Sequence, residues 1–259
     1  PVDEDLVALR DSFADLAARL ADVRPDVVVV IATDHLTQWW YDNMPTFLVG
    51  RSVLMPATFP NEEREFGLPT ATLTGDIDLG AWLHEDGIRR GFDLSASDDF
   101  RVDHSVLVPL HFLTPGLDVP VVPVFTNAIA PPFPTASRFF ELGAALRRSI
   151  EASPLDRRVA IVASGHLATE VGGPRHFAGS PDREFDVAAV AMVRAGAVDQ
   201  LADVASFERL LAAGNVTHQF LNFVVAMGAT GGRPATVAEA GFSRFATSPF
   251  FAWTGEALA

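Results

Sequence analysis

From Leu6 onward the apolar residues Leu9, Phe13, Leu16 and Leu20 recur at steps of three and four, which gathers them on one face of a helix. Pro25 ends that helix, and Val27 to Ile31 follow as an unbroken β-branched run, the pattern of a strand covered on both faces. Val119 to Phe125 and Val159 to Ala163 predict two further core strands, with Pro120 and Pro123 pushing the former towards a sheet edge or an irregular strand. Helical spacing recurs over Leu79 to Arg90, Ala136 to Glu151, Glu184 to Ala195, Val198 to Ala212 and Thr217 to Met227. Buried strands alternating with helices predict one α/β domain over residues 1–259, its sheet covered by helices on both faces. Asn127 to Pro134 is too rich in proline for regular structure and reads as a rigid loop beside a pocket. Gly228 to Pro234 reads as a flexible turn.

Composition narrows the partners. The 259 residues are 49% hydrophobic, enough for a large core, while the formal charge of −14 opposes nucleic acid and anionic membranes, which need a basic surface. Small molecules and other subunits fit better. Without cysteine there is no disulfide framework, no segment has the length of a membrane span, and the opening Val2-Asp3-Glu4-Asp5 is acidic. A cytoplasmic setting is expected. The mean hydropathy of +0.22 and 20 phenylalanines predict apolar surface buried between subunits, and so a homo- or hetero-oligomer.

Seven histidines are few enough to weigh singly. In open α/β sheets ligands bind beyond the carboxyl ends of strands. His35 sits there, in Thr33-Asp34-His35, followed by the aromatic run Trp39-Trp40-Tyr41. A neutral imidazole in that place makes a good metal ligand if a neighbour holds its second nitrogen, and otherwise simply caps the strand. His104, in Val102-Asp103-His104-Ser105, again follows an aspartate, although adjacent residues on extended chain point to opposite faces and need not interact. His166 follows the third strand in Ser164-Gly165-His166, and His218 lies near a helix start beside Gln219. His84, His111 and His176 read as surface or packing residues. The Walker loop, the dinucleotide fingerprint, the nucleophile elbow and the His-Glu-x-x-His helix are all missing.

Several segments together resemble the class III extradiol ring-cleaving dioxygenases. These are Pro25 to His35 with Tyr41-Asp42-Asn43-Met44-Pro45-Thr46-Phe47, then Val102-Asp103-His104 with Val108-Pro109-Leu110, then Pro123 to Asn127 leading to Pro131-Pro132. Gly172-Gly173-Pro174-Arg175, Glu184-Phe185-Asp186 and Ala213-Gly214-Asn215 continue the likeness in order over nearly the whole chain. The resemblance implies a mixed central sheet flanked by helices, and non-haem Fe(II) held by two histidines and a glutamate with positions left for a catechol-type or aminophenol-type aromatic and O2. It makes His35 an iron histidine and His104 an active-site histidine that steers protons. It makes Asp34, Tyr41, Pro45, Asn127 and Pro131 substrate-binding positions.

The likeness is incomplete at the metal. The family's carboxylate falls on Gln219, its second acid–base histidine falls on Thr169, and its first iron histidine falls upstream of Pro1. An amide lacks the negative charge that offsets Fe(II), and a threonine does not titrate near neutrality. His218 beside Gln219, and His166 three residues before Thr169, are the substitutes the chain offers. Two readings follow: an extradiol dioxygenase, or a metal-free partner subunit of such an enzyme. A Gln219→Glu change that gained iron would mark Gln219 as the vacated ligand position.

Overall fold

The computed structural model describes residues 4–176, 179–242 and 247–254. In chain order its helices are α1 (Glu4–Val23), α2 (Pro60–Phe66), α3 (Ile77–Arg89), α4 (His104–Leu113), α5 (Ala136–Glu151), α6 (Arg183–Ala195), α7 (Leu201–Val204), α8 (Phe207–Ala213) and α9 (Leu221–Ala229). Its strands are β1 (Val27–Ala32), β2 (Phe47–Gly50), β3 (Leu54–Ala57), β4 (Ala71–Thr74), β5 (Ser95–Ser97), β6 (Val121–Thr126), β7 (Val159–Ala163), β8 (Val237–Phe242) and β9 (Thr247–Ala252). None of the described helices is long and apolar enough to cross a membrane.

The chain packs as two compact units. One comprises Leu20–Phe133 and Ala145–Ser164, the other Pro1–Arg19, Pro134–Ala144 and Gly165–Ala259. The first holds a mixed five-stranded sheet in the order β5-β2-β6-β1-β7. β1 runs parallel to β6 and β7, whereas β2 is antiparallel to β6 and parallel to β5. All six residues of β1 are fully buried, as the β-branched run requires of a strand covered on both faces. Val28, Val30 and Ala32 on one face pack in a cluster with Val102, Val106 and Leu110, so α4 covers that side together with Met55 and Leu73 of the β3–β4 hairpin.

The expectation that Pro123 marks an edge or irregular strand is overturned. β6 is regular and lies between β2 and β1. The Val28 amide donates to the Pro120 carbonyl at 2.9 Å, and a strand's amides alternate sides, so Val122 and Val124 face β1 with their N–H groups. Pro123 turns its missing donor to the other side, where the pairing with β2 begins only at Val124. The continuous helix expected over Val198 to Ala212 is also corrected. A 3-10 turn at Val198–Gln200 and α7 are separated from α8 by Ser206, whose hydroxyl caps α8 by accepting from the Arg209 amide. Likewise Thr217–Phe220 is a 3-10 turn leading into α9, which is buried along its whole length.

In the second unit residues 136–144 of α5 meet α9 backbone to backbone. A methyl group on Gly228 would lie 1.9 Å from the Phe140 carbonyl, and one on Gly143 equally close to that of Val225. β8 and β9 form an antiparallel hairpin against which α6 packs.

Candidate active site

The carboxyl ends of β1 and β6 in the first unit are joined by Thr33 and Thr126, whose hydroxyls lie 3.2 Å apart. The chain then turns over residues 34–39. Asp34, buried, organises that turn by accepting from the Thr37 hydroxyl at 2.5 Å and from the amides of Thr37, Gln38 and Trp39 at 3.1 Å each. Burial pushes the Asp34 carboxyl above its usual range; the Thr37 hydroxyl opposes the rise and the charge of Asp103 adds to it. Leu36 within the turn has φ +59°, a left-handed conformation rare for a branched residue, held in place by these bonds.

The acid that His35 bonds is Asp103. The His35 backbone amide donates to Asp103 Oδ2 at 2.9 Å, and its Nδ1 lies 3.0 Å from the same oxygen. Asp103 Oδ1 meanwhile caps α4, accepting from the Ser105 amide at 2.9 Å and the Ser105 hydroxyl at 2.5 Å. The Asp103 side chain is wholly buried. Burial alone would push its carboxyl up, yet the bond and charge of His35, the charge of His104 and the Ser105 hydroxyl together hold it well below the usual range.

His104, the first residue of α4, pairs with a residue that the sequence reading passed over. Glu62 Oε1 accepts from the His104 amide at 2.8 Å and lies 2.6 Å from His104 Nδ1, while Oε2 accepts from the Phe59 amide at 2.9 Å. Glu62 thus caps the start of α2 and grips His104 with the same carboxylate, its side chain 1% exposed. Burial raises the Glu62 carboxyl, but the His104 ring and the two amides outweigh it and leave it below its usual range. For His104 burial lowers the imidazole, and the bond to Glu62 with the charges of Asp103, Glu62 and Asp34 brings it above its ordinary value. A visible signal existed: Pro60 at a helix start with a glutamate two residues later, the spacing of an N-terminal cap. Thr58, just before this cap, also has φ +72° and is braced by its hydroxyl on the Pro69 carbonyl at 2.8 Å.

The two imidazoles stack, centroids 4.2 Å apart and planes 29° apart, and Phe66 lies against His104 at 5.2 Å with most of its ring exposed. His35, Asp103 and His104 each offer a ligand atom within 4.8 Å of the others, the one such group among the described residues. The three could hold a metal ion, and at His35 a carboxylate holds Nδ1 in the manner usual for metal-bound histidines.

The other expected positions are placed as follows. Tyr41 is largely exposed on the segment after the turn, and Pro45 half-buried. Asn127 bonds back to Ala130 through both ends of its amide, at 2.7 and 3.0 Å, shaping the loop that carries the exposed Pro131. Thr169, His166, His218 and Gln219 belong to the second unit. There the Thr169 amide donates to the Thr217 hydroxyl at 3.1 Å, and His218 and Gln219 are buried in the 3-10 turn before α9. Burial lowers the His218 imidazole, opposed by a bond with the Phe207 backbone. His166 is half-buried. His84 takes a packing role, its Nε2 lying 3.1 Å from the Leu94 carbonyl.

A family model described as the catalytic LigB subunit of aromatic ring-opening dioxygenase matches residues 3–254. The chain belongs to the LigB family. Among curated relatives, a 2,3-dihydroxyphenylpropionate/2,3-dihydroxicinnamic acid 1,2-dioxygenase of Klebsiella pneumoniae subsp. pneumoniae is 37% identical over 161 residues, covering 60% of this chain and 47% of the relative. The protein of the same name from Paraburkholderia xenovorans is 35% identical over 183 residues, covering 70% of this chain and 55% of the relative. The chain therefore spans about half the length of the curated relatives it matches. Among solved structures, the uncharacterized protein JW3007 from Escherichia coli K12 superposes with a TM-score of 0.59 over 92% of this LigB-family chain and 90% of its own. At 16% identity that likeness shows the shared fold.

Proposed function

We propose that this LigB-family chain is an extradiol ring-cleaving dioxygenase that uses non-haem Fe(II) and O2 on an aromatic ring with two adjacent hydroxyl groups, or a hydroxyl and an amine. The observation that carries the reading is the stacked His35–His104 pair, each imidazole held at Nδ1 by its own buried carboxylate. Such backing is what a metal-ligating or proton-handling histidine needs, and here it comes from carboxylates that also cap α4 and α2. Ferrous iron, when bound, supplies open positions at which the two adjacent heteroatoms and O2 meet.

The protein's part is to hold and orient. His35 would contribute its imidazole to the metal, with Asp103 fixing ring orientation and supplying negative charge nearby. His104, in its neutral form, would take a hydroxyl proton of the substrate on Nε2, since Nδ1 is engaged by Glu62. The exposed ring of Phe66 beside His104 offers a flat apolar wall for the aromatic substrate. Names of the relatives favour a catechol bearing an acidic side chain.

The test is anaerobic reconstitution with Fe(II), measurement of bound iron, and O2 uptake with a panel of catechols and aminophenols. Near-stoichiometric iron that His35→Ala abolishes, with uptake on at least one ring, is the expected result. Less than about a tenth of an iron per chain and no uptake would instead support a metal-free partner subunit.

A further inference from the structure

Glu62 has a second task that α2 does not require. A glutamate at the third position of a helix ordinarily reaches back to cap one free amide, and here Oε2 does so with Phe59. The other oxygen is turned inward to His104, taking the backbone amide at 2.8 Å and Nδ1 at 2.6 Å. Two bonds from one oxygen to one residue fix both the position of the residue and the rotation of its ring. A carboxylate buried to this degree is costly unless its lone pairs are filled, and all three of its bonds come from the 59–62 turn and His104.

We propose that Glu62 is a positioning residue for His104, acting on the tautomer as well as the orientation of the ring; this rests on the reading of the site given above. An ionised carboxylate only accepts, so the neutral imidazole must place its proton on Nδ1, and the lone pair then sits on Nε2. The ring is 28% exposed, so Nε2 is the nitrogen left for a substrate proton. Asp103 does the corresponding work for His35, so each ring has its own hydrogen-bonded acid, while the charge of Asp103 reaches both. The crosswise hydrogen bonds give each stacked ring a different carboxylate at Nδ1, Asp103 for His35 and Glu62 for His104.

The prediction separates from simple support of α2. A glutamine at position 62 keeps the shape, but its amide has one acceptor where the native side chain uses two. If the oxygen faces Phe59, the NH2 group faces His104 Nδ1 and favours the opposite tautomer. Nitrogen-15 imidazole spectra of the metal-free full chain, recorded at alkaline pH where the ring is neutral, read this without any reaction. The native protein is expected to carry the His104 proton on Nδ1, and Glu62→Gln to move part or all of it to Nε2. A native ring protonated on Nε2, or a tautomer unchanged in Glu62→Gln, overturns the proposal.

Kinetics of the iron-loaded protein provide the second arm. Glu62→Gln is expected to lower kcat about 10- to 100-fold, the usual cost of removing a histidine's carboxylate partner, with KM changed by less than about threefold. Glu63→Gln, exposed on the same helix, is expected to match the native enzyme. Equal kcat in Glu62→Gln and native protein refutes the positioning role. If the native chain cleaves no ring at all, the proposed activity fails, and the spectra alone decide whether Glu62 sets the tautomer.

Discussion

Asp103 is the residue on which the site's geometry turns, and its removal has an effect that can be worked out from its bonds. Replacing it by alanine takes this acceptor from the His35 amide, His35 Nδ1, the Ser105 amide and the Ser105 hydroxyl, around a carboxylate that is wholly buried. Loss of the α4 cap alone costs about 1 kcal/mol. Removing one member of a buried charged, hydrogen-bonded set costs about 3–5 kcal/mol, and the two overlap, so Asp103→Ala is expected to lose about 3–5 kcal/mol. That is a large part of the about 5–15 kcal/mol that holds a domain together. Equilibrium urea denaturation measures it. The partnership itself is isolated by a double-mutant cycle with His35→Ala, which removes the ring and leaves the backbone donor in place. A coupling of about 1–3 kcal/mol is expected for His35 with Asp103, and less than about 0.5 kcal/mol for His35 with Asp34. Coupling to Asp34 as large as to Asp103 would refute the crosswise pairing and with it the assignment of roles.

Other outcomes follow from the same structure. Asp182 caps α6 through the Phe185 amide at 2.8 Å and takes a two-pronged bond from Arg209 at 2.7 and 3.2 Å; the Arg209 bond chiefly holds its carboxyl below the usual range, with burial opposing. A depressed carboxyl contributes stability above its unfolded pKa and loses it as pH falls through the folded one, so Asp182→Ala should cost about 1–2 kcal/mol at pH 7 and progressively less below about pH 4, by urea midpoints at each pH. Gly228→Ala, though favoured by helix propensity, is expected to destabilise by more than about 2 kcal/mol in thermal unfolding, because its methyl group would meet the Phe140 carbonyl at 1.9 Å. Phe66→Ala should leave the unfolding midpoint nearly unchanged, the residue being 59% exposed, while raising KM for an aromatic substrate severalfold in O2-uptake assays.

What the sequence disclosed follows the strength of the local signal. β1 and β7 were legible as β-branched runs, and α1, α3, α5 and α6 as amphipathic periods. β2 and β5 have four and three residues, and β5 reads Ser-Ala-Ser, too short and polar to show alternation. α4 escaped because it is apolar nearly all round and carries Pro109 inside, which removes the polar face that marks a surface helix. The β8–β9 hairpin contains Gly241 and Pro249, both poor strand residues, and its pairing is visible only in three dimensions.

The candidate site divides in the same way, and the division has a physical cause. His35 and His104 could be picked out because strand ends and small histidine numbers are local facts. Their partners could not, because Asp103 lies 68 positions from His35 and Glu62 lies 42 from His104, and nothing in either neighbourhood encodes the other. The sequence offers the opposite suggestion, two Asp-His dipeptides, and the fold declines it. Asp34 is consumed by the turn that aims His35, and Asp103 by the cap that starts α4 and by His35 itself. Each aspartate therefore builds the backbone at one histidine, while the imidazole beside it has a hydrogen-bonded carboxylate from farther along the chain. That separation lets the turn and the ring be fixed independently. A histidine held by its own neighbour would have its ring direction tied to a single backbone torsion, whereas acids on other elements bring β1, α2 and α4 to bear on one pair of rings. Precision at the stacked imidazoles is thus a property of the packed unit, reached only when the sheet and both helices have assembled.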